Sequence, residues 1–233
     1  MRVSSTRVNF AKGHSRLERW LNYEAPTQPY DLFVLDLLHP NPNEVVLDDG
    51  AGNARFALRL ASIGCEVIAV DLNLKMLERA RESCARRKAV RVHIVLGDMV
   101  NLPLRTDSLD KVICVHNLWC VRDYKKAISE MLRVLRSNGI CIVDQLNSLD
   151  LKNLCDFRYY LMLVRALMGK GFIDARRTAR SLLQAFGAAR TQVYSVLNYN
   201  PLCVVEGVRN LARRFVVVST ESRENQTAFE NRS

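Results

Sequence analysis

The sequence of 233 residues lacks several features that define whole classes of protein. It has no run of about 18 consecutive apolar residues, so no transmembrane helix is expected. Its first residues, Met-Arg-Val-Ser-Ser, lack the apolar centre of a secretory signal peptide, which favours a cytoplasmic location. It also has no Cys-x-x-Cys pair, the usual spacing of a zinc or redox site, and no metal is expected.

The cysteines and the charges point to an ordinary intracellular globular protein. The seven cysteines are an odd number, and several lie inside apolar runs such as Val112-Ile113-Cys114-Val115, which is typical of free, buried thiols in a reducing compartment. The formal net charge is +10, but the basic residues are scattered rather than gathered in one tract. The positive charge therefore leaves two interpretations open, a solvated basic surface or a face that binds a polyanion.

Short apolar runs alternate with amphipathic segments from residue 44 onward. The runs predict strands at 44–49, 66–71, 90–97, 109–116, 140–144, 192–198 and 213–220. The amphipathic segments predict helices at 54–63, after Asn73 and after Asp123, the first ending at Gly64 and the last at Asn138-Gly139. Strands that are apolar throughout and separated by helices indicate a parallel sheet covered on both faces.

The chain is expected to form a single domain over residues 1–220. Residues 1–40 form an N-terminal helical cap, with helices at 17–23 and 30–38, and residues 41–147 form the core. Residues 148–190 are a helical insertion or lid, with helices at 151–170 and 174–186, and 191–220 carry the last strands. The polar tail at 221–233 is expected to be disordered.

A glycine-rich loop, Asp48-Asp49-Gly50-Ala51-Gly52-Asn53, follows the first predicted strand. In an open parallel sheet, ligands bind beyond the carboxyl ends of the strands, and glycines there allow a close approach of the backbone. A dinucleotide phosphate is one ligand for such a loop. A carboxylate at Asp48 disfavours a pyrophosphate and favours a cationic group, such as the ammonium of a methionine moiety.

Acidic residues also follow the next two predicted strands. Asp71 ends the second strand, where a carboxylate can accept hydrogen bonds from both hydroxyls of a ribose. Asp98 follows the third strand and can accept a hydrogen bond from the exocyclic amine of adenine, while the Met99 backbone N–H donates to the ring. A single carboxylate at a strand end would indicate only a cap of the next helix. Three carboxylates at consecutive strand ends predict a binding site for an adenosine with a cationic tail.

Several motifs together carry a family resemblance. They are Val46–Asn53, Val67–Asp71, Gly97-Asp98-Met99, Leu102-Pro103-Leu104, Ser108-Leu109-Asp110 and Glu130–Gly139. On these, the segment Val45 to Asn147 resembles the class I S-adenosylmethionine-dependent methyltransferases, in particular the small-molecule type similar to the quinone-biosynthesis methyltransferases.

The resemblance implies a fold, a cofactor and a set of site residues. The fold is α/β, a Rossmann-like, doubly wound sheet of seven strands with the last strand antiparallel. The sequence pattern adds an N-terminal helical cap and a helical insertion after strand five. The cofactor is S-adenosylmethionine (SAM), which leaves as S-adenosylhomocysteine (SAH).

The resemblance places Asp48 near the methionine amine. The expected cofactor-binding residues are Asp48, Asp49, Gly50, Ala51, Gly52, Asn53, Asp71, Leu72, Asp98, Met99 and His116. The sequence departs from the family at Ala54, where a third glycine is usual, and at Asn138-Gly139, where Pro-Gly is common.

His116 ends the fourth predicted strand and is the candidate catalytic residue. Its ordinary pKa suits a general base, and the alternative is a wall residue that packs on the cofactor. His14, Tyr23 and Tyr30 in the N-terminal cap are weaker candidates for cofactor or acceptor contact.

The methyl acceptor is less well defined than the donor. The sequence lacks an Asn/Asp-Pro-Pro-aromatic motif and a Pro-Cys nucleophile. The apolar segment 151–170 suits a small, hydrophobic or lipid-linked acceptor, and it equally suits a lid packed on the sheet or a dimer contact. A tRNA or rRNA acceptor, which would use the basic surface, and a non-catalytic SAM-binding regulator stay open as alternatives. The chain is expected to act as a monomer or homodimer.

Overall fold

The computed structural model describes residues 29–118, 121–146, 184, 191–199, 202–206 and 214–220. The helices predicted at 17–23 and 151–170, most of the helix predicted at 174–186, and the tail at 221–233 lie outside the described residues. His14 and Tyr23 also lie outside them.

Four helices and eight strands are described. The helices are α1 (Pro29–Leu38), α2 (Arg55–Ile63), α3 (Leu74–Arg86) and α4 (Tyr124–Val134). The strands are β1 (Val45–Asp49), β2 (Glu66–Asp71), β3 (Val92–Leu96), β4 (Leu109–Cys114), β5 (Leu135–Leu146), β6 (Thr191–Tyr199), β7 (Leu202–Glu206) and β8 (Arg214–Thr220).

All eight strands join one sheet in the order β3-β2-β1-β4-β5-β8-β6-β7. The first five strands are parallel to one another, which confirms the Rossmann-like α/β prediction. β8 inserts between β5 and β6 and pairs antiparallel with both. Within the described residues the sheet contains eight strands where seven were expected, because Leu202–Glu206 pairs antiparallel with β6.

Local sequence explains most helix boundaries. The side chain of Asn73 accepts a hydrogen bond from the backbone N–H of Lys75 at the start of α3, and Asp123 accepts one from Lys126 at the start of α4. Gly64 ends α2 in the left-handed conformation with φ of 109°, as predicted. The expectation that α4 runs to Asn138-Gly139 is wrong, because Leu135 already pairs with Leu109 of the neighbouring strand.

Apolar side chains cover both faces of the sheet. Along β1, Val46 belongs to the cluster that includes α1 and α2, and Leu47 belongs to the cluster that includes α4. Successive residues of a strand face opposite sides, so a strand buried on both faces is apolar at consecutive positions. This explains why the central strands appear as continuous apolar runs in the sequence.

A buried ion pair holds α1 against α2. Asp31 and Arg59 are both about 1% exposed at their side chains, and their charged atoms lie 2.5 Å apart. Arg55 binds the same carboxylate at 2.5 Å, so each carboxylate oxygen of Asp31 has a cationic partner. This ion pair fixes the described part of the N-terminal cap against α2. It was not predicted from the sequence. Among the described helices, no helix is both long and apolar enough to span a membrane.

Candidate functional site

A cavity of about 710 Å³ opens at the carboxyl ends of the central strands. The sheet order reverses between β1 and β4, with β2 and β3 on one side and β5 on the other, and ligands bind at such a switch point. The lining residues are Asp49, Gly50, Asp71, Leu72, Asn73, Leu74, Gly97, Asp98, Met99, Val100, Asn117, Val121, Arg122 and Asp123.

Six of the expected cofactor-binding residues line this cavity: Asp49, Gly50, Asp71, Leu72, Asp98 and Met99. The cavity lining does not include Asp48, Ala51, Gly52, Asn53 or His116. Sequence reasoning missed Asn73, Leu74, Gly97, Val100, Asn117, Val121, Arg122 and Asp123. These residues follow the ends of β2, β3 and β4. Like the acidic residues, they come after apolar runs in the sequence, and that position could have predicted them.

The glycine loop is held in place by backbone hydrogen bonds and by a side chain above it. The N–H groups of Gly50 and Ala51 donate to the Val70 carbonyl at 2.8 and 2.9 Å. Gly50 has φ of +80°, and a Cβ atom on it would lie 1.5 Å from Nδ2 of Asn117. Only glycine fits this position without displacing Asn117.

Ala54 occupies the position where the family has its third glycine. It has φ of 63° and ψ of 33°, the left-handed conformation that costs a residue with a Cβ atom about 1 kcal/mol or more. Its side chain is fully buried. The turn into α2 therefore keeps the geometry of a glycine while carrying a methyl group.

Asp71 connects the glycine loop to the start of α3. One carboxylate oxygen accepts the N–H of Gly52 and the other accepts the N–H of Asn73, both at 2.8 Å. Each oxygen keeps a further lone pair. Asp71 can therefore stabilise the loop and still accept hydrogen bonds from a ligand.

Asp98 and Met99 form the floor of the cavity after β3. Oδ1 of Asp98 accepts a hydrogen bond from the N–H of Val100 at 3.1 Å, and the side chain of Met99 is buried. Across the cavity mouth, Leu72 and Leu74 are 67% and 51% exposed, although both are large and apolar. Exposed apolar side chains at a cavity rim are typical of a ligand-binding groove.

The two adjacent acids of the loop face different surroundings. Asp48 is buried, and its carboxylate accepts the N–H of Ala57 in the first turn of α2 at 3.0 Å. Burial raises the pKa of Asp48 to about 7, although the Ala57 hydrogen bond and the Arg55 charge oppose the shift. Asp49 instead lines the cavity, so it and not Asp48 is the acid of the loop that borders this space.

His116 precedes the cavity-lining Asn117 in the chain and lies in a polar cluster with Tyr30 and Asp144. Asp144 is fully buried, and its carboxylate accepts the backbone N–H of His116 at 2.6 Å and the hydroxyl of Tyr30 at 2.5 Å. The imidazole Nδ1 of His116 lies 3.9 Å from the same carboxylate, and the Tyr30 ring meets the imidazole edge to face. His116 has φ of 62°, a strained conformation that such contacts can hold.

The central segment of the chain is similar to known methyltransferases. Residues 47–143 match the profile of a methyltransferase domain family. The chain is 32% identical over 117 residues to a demethylmenaquinone methyltransferase of Renibacterium salmoninarum, covering 50% of this chain and 47% of the relative. It is 40% identical over 111 residues to a malonyl-[acyl-carrier protein] O-methyltransferase of Yersinia pestis, covering 46% of this chain and 39% of the relative. The chain thus spans half or less of the length of these two curated relatives.

Solved structures agree with this fold. A SAM-dependent methyltransferase from Thermotoga maritima superposes with a TM-score of 0.62 at 21% identity, covering 91% of this chain and 97% of that chain. At this identity the likeness shows the fold. Residues 47–143 thus match a methyltransferase domain family in sequence, and the fold around them is the Rossmann-like fold of that solved structure.

Proposed function

We propose that this protein binds SAM in the cavity and transfers its methyl group to an oxygen, nitrogen or carbon of a small acceptor, leaving SAH. The observation that carries the proposal is the convergence of three acids on one cavity. Asp49 ends β1, Asp71 ends β2 and Asp98 follows β3, and all three line the same space next to the glycine loop.

The cavity fits the donor in size and chemistry. Its volume lies within the range of roughly 300–1,000 Å³ that is common for small-molecule sites. Asp71 would accept hydrogen bonds from the ribose hydroxyls, and Asp98 with the Met99 N–H would bind the adenine edge. Leu72 and Leu74 would cover the apolar face of the adenosine. Asp48 would contribute through the turn into α2, since its carboxylate bonds to Ala57.

The donor supplies a methyl group on a positively charged sulfur, which is already a good leaving group. The chain has to align the acceptor with that methyl group and exclude water, and alignment alone is worth on the order of 7–11 kcal/mol in well-oriented reactions. His116 would remove the acceptor proton where the acceptor carries one. Its backbone hydrogen bond to Asp144 supports this role, because it fixes the residue at the end of β4.

The proposed acceptor is a small molecule, and a hydrophobic or lipid-linked one suits the apolar sequence of residues 151–170. The relatives' names cover diverse acceptors, namely demethylmenaquinone, malonyl-[acyl-carrier protein] and glycine or sarcosine, so the acceptor cannot be transferred from them. The net charge of +10 supports RNA as a second candidate, for which binding falls steeply with salt.

We also propose that the seven-stranded sheet of the family corresponds here to β1–β6 and β8, with β7 as an additional edge strand. In that arrangement β8 is the last, antiparallel strand.

A methylation assay tests the activity. The protein is incubated with SAM labelled in the methyl group and with a cell extract separated into lipid, RNA, protein and small-molecule pools. We expect the label in the lipid or small-molecule pool, and His116→Ala should lower its rate of appearance. Label confined to RNA would select the second candidate, and binding of SAM with no label in any pool would select the non-catalytic regulator.

A further inference from the structure

Asp49 is a buried acid that lines the cavity without any hydrogen-bond partner among the described residues. Its residue exposure is 1%, and neither carboxylate oxygen accepts a hydrogen bond there. A carboxyl group buried in this way costs free energy in the folded protein. A ligand in the cavity would offset this free-energy cost if it supplied a partner for the Asp49 carboxyl group.

The charged groups around Asp49 are mostly negative. Asp48 is its neighbour in β1, and Asp71 and Asp98 border the same cavity. The charge of Glu130 on α4 also acts on Asp49, and Asp49 in turn acts on the buried thiol of Cys114 in β4. The cations Arg55 and Arg133 bind other acids, Asp31 and Glu130, and Arg122 at the cavity rim is exposed. Burial, together with the charges of Asp48, Asp71, Asp98 and Glu130, holds the pKa of Asp49 well above its usual value.

A cation entering the cavity would shift the protonation equilibrium of Asp49 towards the carboxylate. It would attract the carboxylate form of Asp49 in a poorly hydrated setting, where charge interactions are strong. SAM and SAH share their adenosine, ammonium and carboxylate groups and differ by the methyl group that makes the sulfur a cation. The charge of the sulfonium is therefore the feature that a buried carboxylate can distinguish.

We infer that Asp49 binds the sulfonium form of the donor selectively and makes the cavity prefer SAM over SAH. This inference rests on the function proposed above. Binding of SAM breaks the O–H bond of the Asp49 carboxyl group, the proton passes to a buffer base, and a carboxylate remains beside the sulfonium. SAH, neutral at sulfur, binds with Asp49 still protonated, so the spent product competes less with fresh donor.

Calorimetric titrations with SAM and with SAH test the selectivity in the wild type, in Asp49→Asn and in Glu82→Gln. The first variant keeps the shape of the side chain and removes the charge, and the control removes one acid that is exposed on α3. In Asp49→Asn the ratio of the SAH to the SAM dissociation constant should fall by roughly 10- to 100-fold, the range for one buried charge-assisted contact, through weaker SAM binding. Glu82→Gln should keep the wild-type ratio.

An unchanged ratio of the SAH to the SAM dissociation constant in a folded Asp49→Asn variant would overturn the inference. If the variant bound both ligands more weakly by the same factor, Asp49 would contact the ammonium group that they share, and the inference would also be wrong. Wild-type protein that binds neither ligand would instead contradict the proposed function.

The wild type alone provides a second measurement if Asp49→Asn does not fold. The SAM titration at pH 7 is repeated in two buffers that differ in ionisation enthalpy. We expect SAM to release more protons than SAH does. Equal proton release with both ligands would contradict the inference.

Discussion

The backbone N–H of His116 donates to the carboxylate of Asp144 across two neighbouring strand ends, at 2.6 Å. Asp144 is fully buried, and the Tyr30 hydroxyl from α1 donates to its other oxygen. One carboxylate thus connects the described part of the N-terminal cap to the candidate base.

Tyr30→Phe should lower the free energy of unfolding by about 1–3 kcal/mol, because it removes a hydrogen bond to a buried carboxylate and leaves the ring in place. Urea unfolding measures the change. Tyr194→Phe is the matched control, since the Tyr194 hydroxyl bonds to Gln192 at an exposed site and its loss should cost under about 0.5 kcal/mol. Equal effects of the two variants would show that the Asp144 cluster does not stabilise the cap.

Asp48→Asn should flatten the pH dependence of stability. Burial raises the pKa of Asp48 from 3.8 to about 7, so between these values the folded protein holds a proton that the unfolded chain has released. The stability from this group is complete below about pH 4 and is lost as the pH rises towards 7, by on the order of a few kcal/mol. Urea unfolding at a series of pH values measures the slope.

In Asp48→Asn the slope should be shallower, with the remaining part due to Asp49, whose pKa is also raised. The exposed Glu78, replaced by Gln, provides a control of equal charge change that should keep the wild-type slope. An Asp48→Asn variant with the same slope as the wild type would contradict the assignment.

Ala54→Gly should raise the free energy of unfolding by about 0.5–1 kcal/mol, since glycine adopts the left-handed conformation of this residue without strain. Thermal unfolding checks the sign. The same change at Ala57, inside α2, should be destabilising by about 1 kcal/mol because glycine is a poor helix former. A loss of stability in both variants would mean that packing of the Ala54 methyl group outweighs its backbone strain.

The central sheet could be predicted from sequence because strands buried on both faces are continuous apolar runs, and the helix caps at Asn73 and Asp123 follow local rules. The start of β5 could not be predicted, since pairing of Leu135 with Leu109 overrides a local pattern that favours helix. The short edge strand at Leu202–Glu206 depends on pairing with β6 rather than on its own pattern.

The candidate site was predictable where it depends on strand ends. Asp71 and Asp98 follow apolar runs and line the cavity. The different positions of Asp48 and Asp49 follow from the alternation of side chains between the two faces of β1. The contact of Tyr30 with Asp144 joins residues 114 apart in the chain, and no local pattern contains it.

Calorimetric titration of the wild-type protein with SAM tests the central claim most directly, with Asp71→Ala measured alongside. We predict one binding site per chain in the wild type, and an affinity lower by roughly tenfold or more in Asp71→Ala, because the variant loses the proposed ribose acceptor and the hydrogen bonds to Gly52 and Asn73. A folded wild-type protein that gives no binding heat with SAM at several temperatures, or an Asp71→Ala variant with unchanged affinity, would contradict the account.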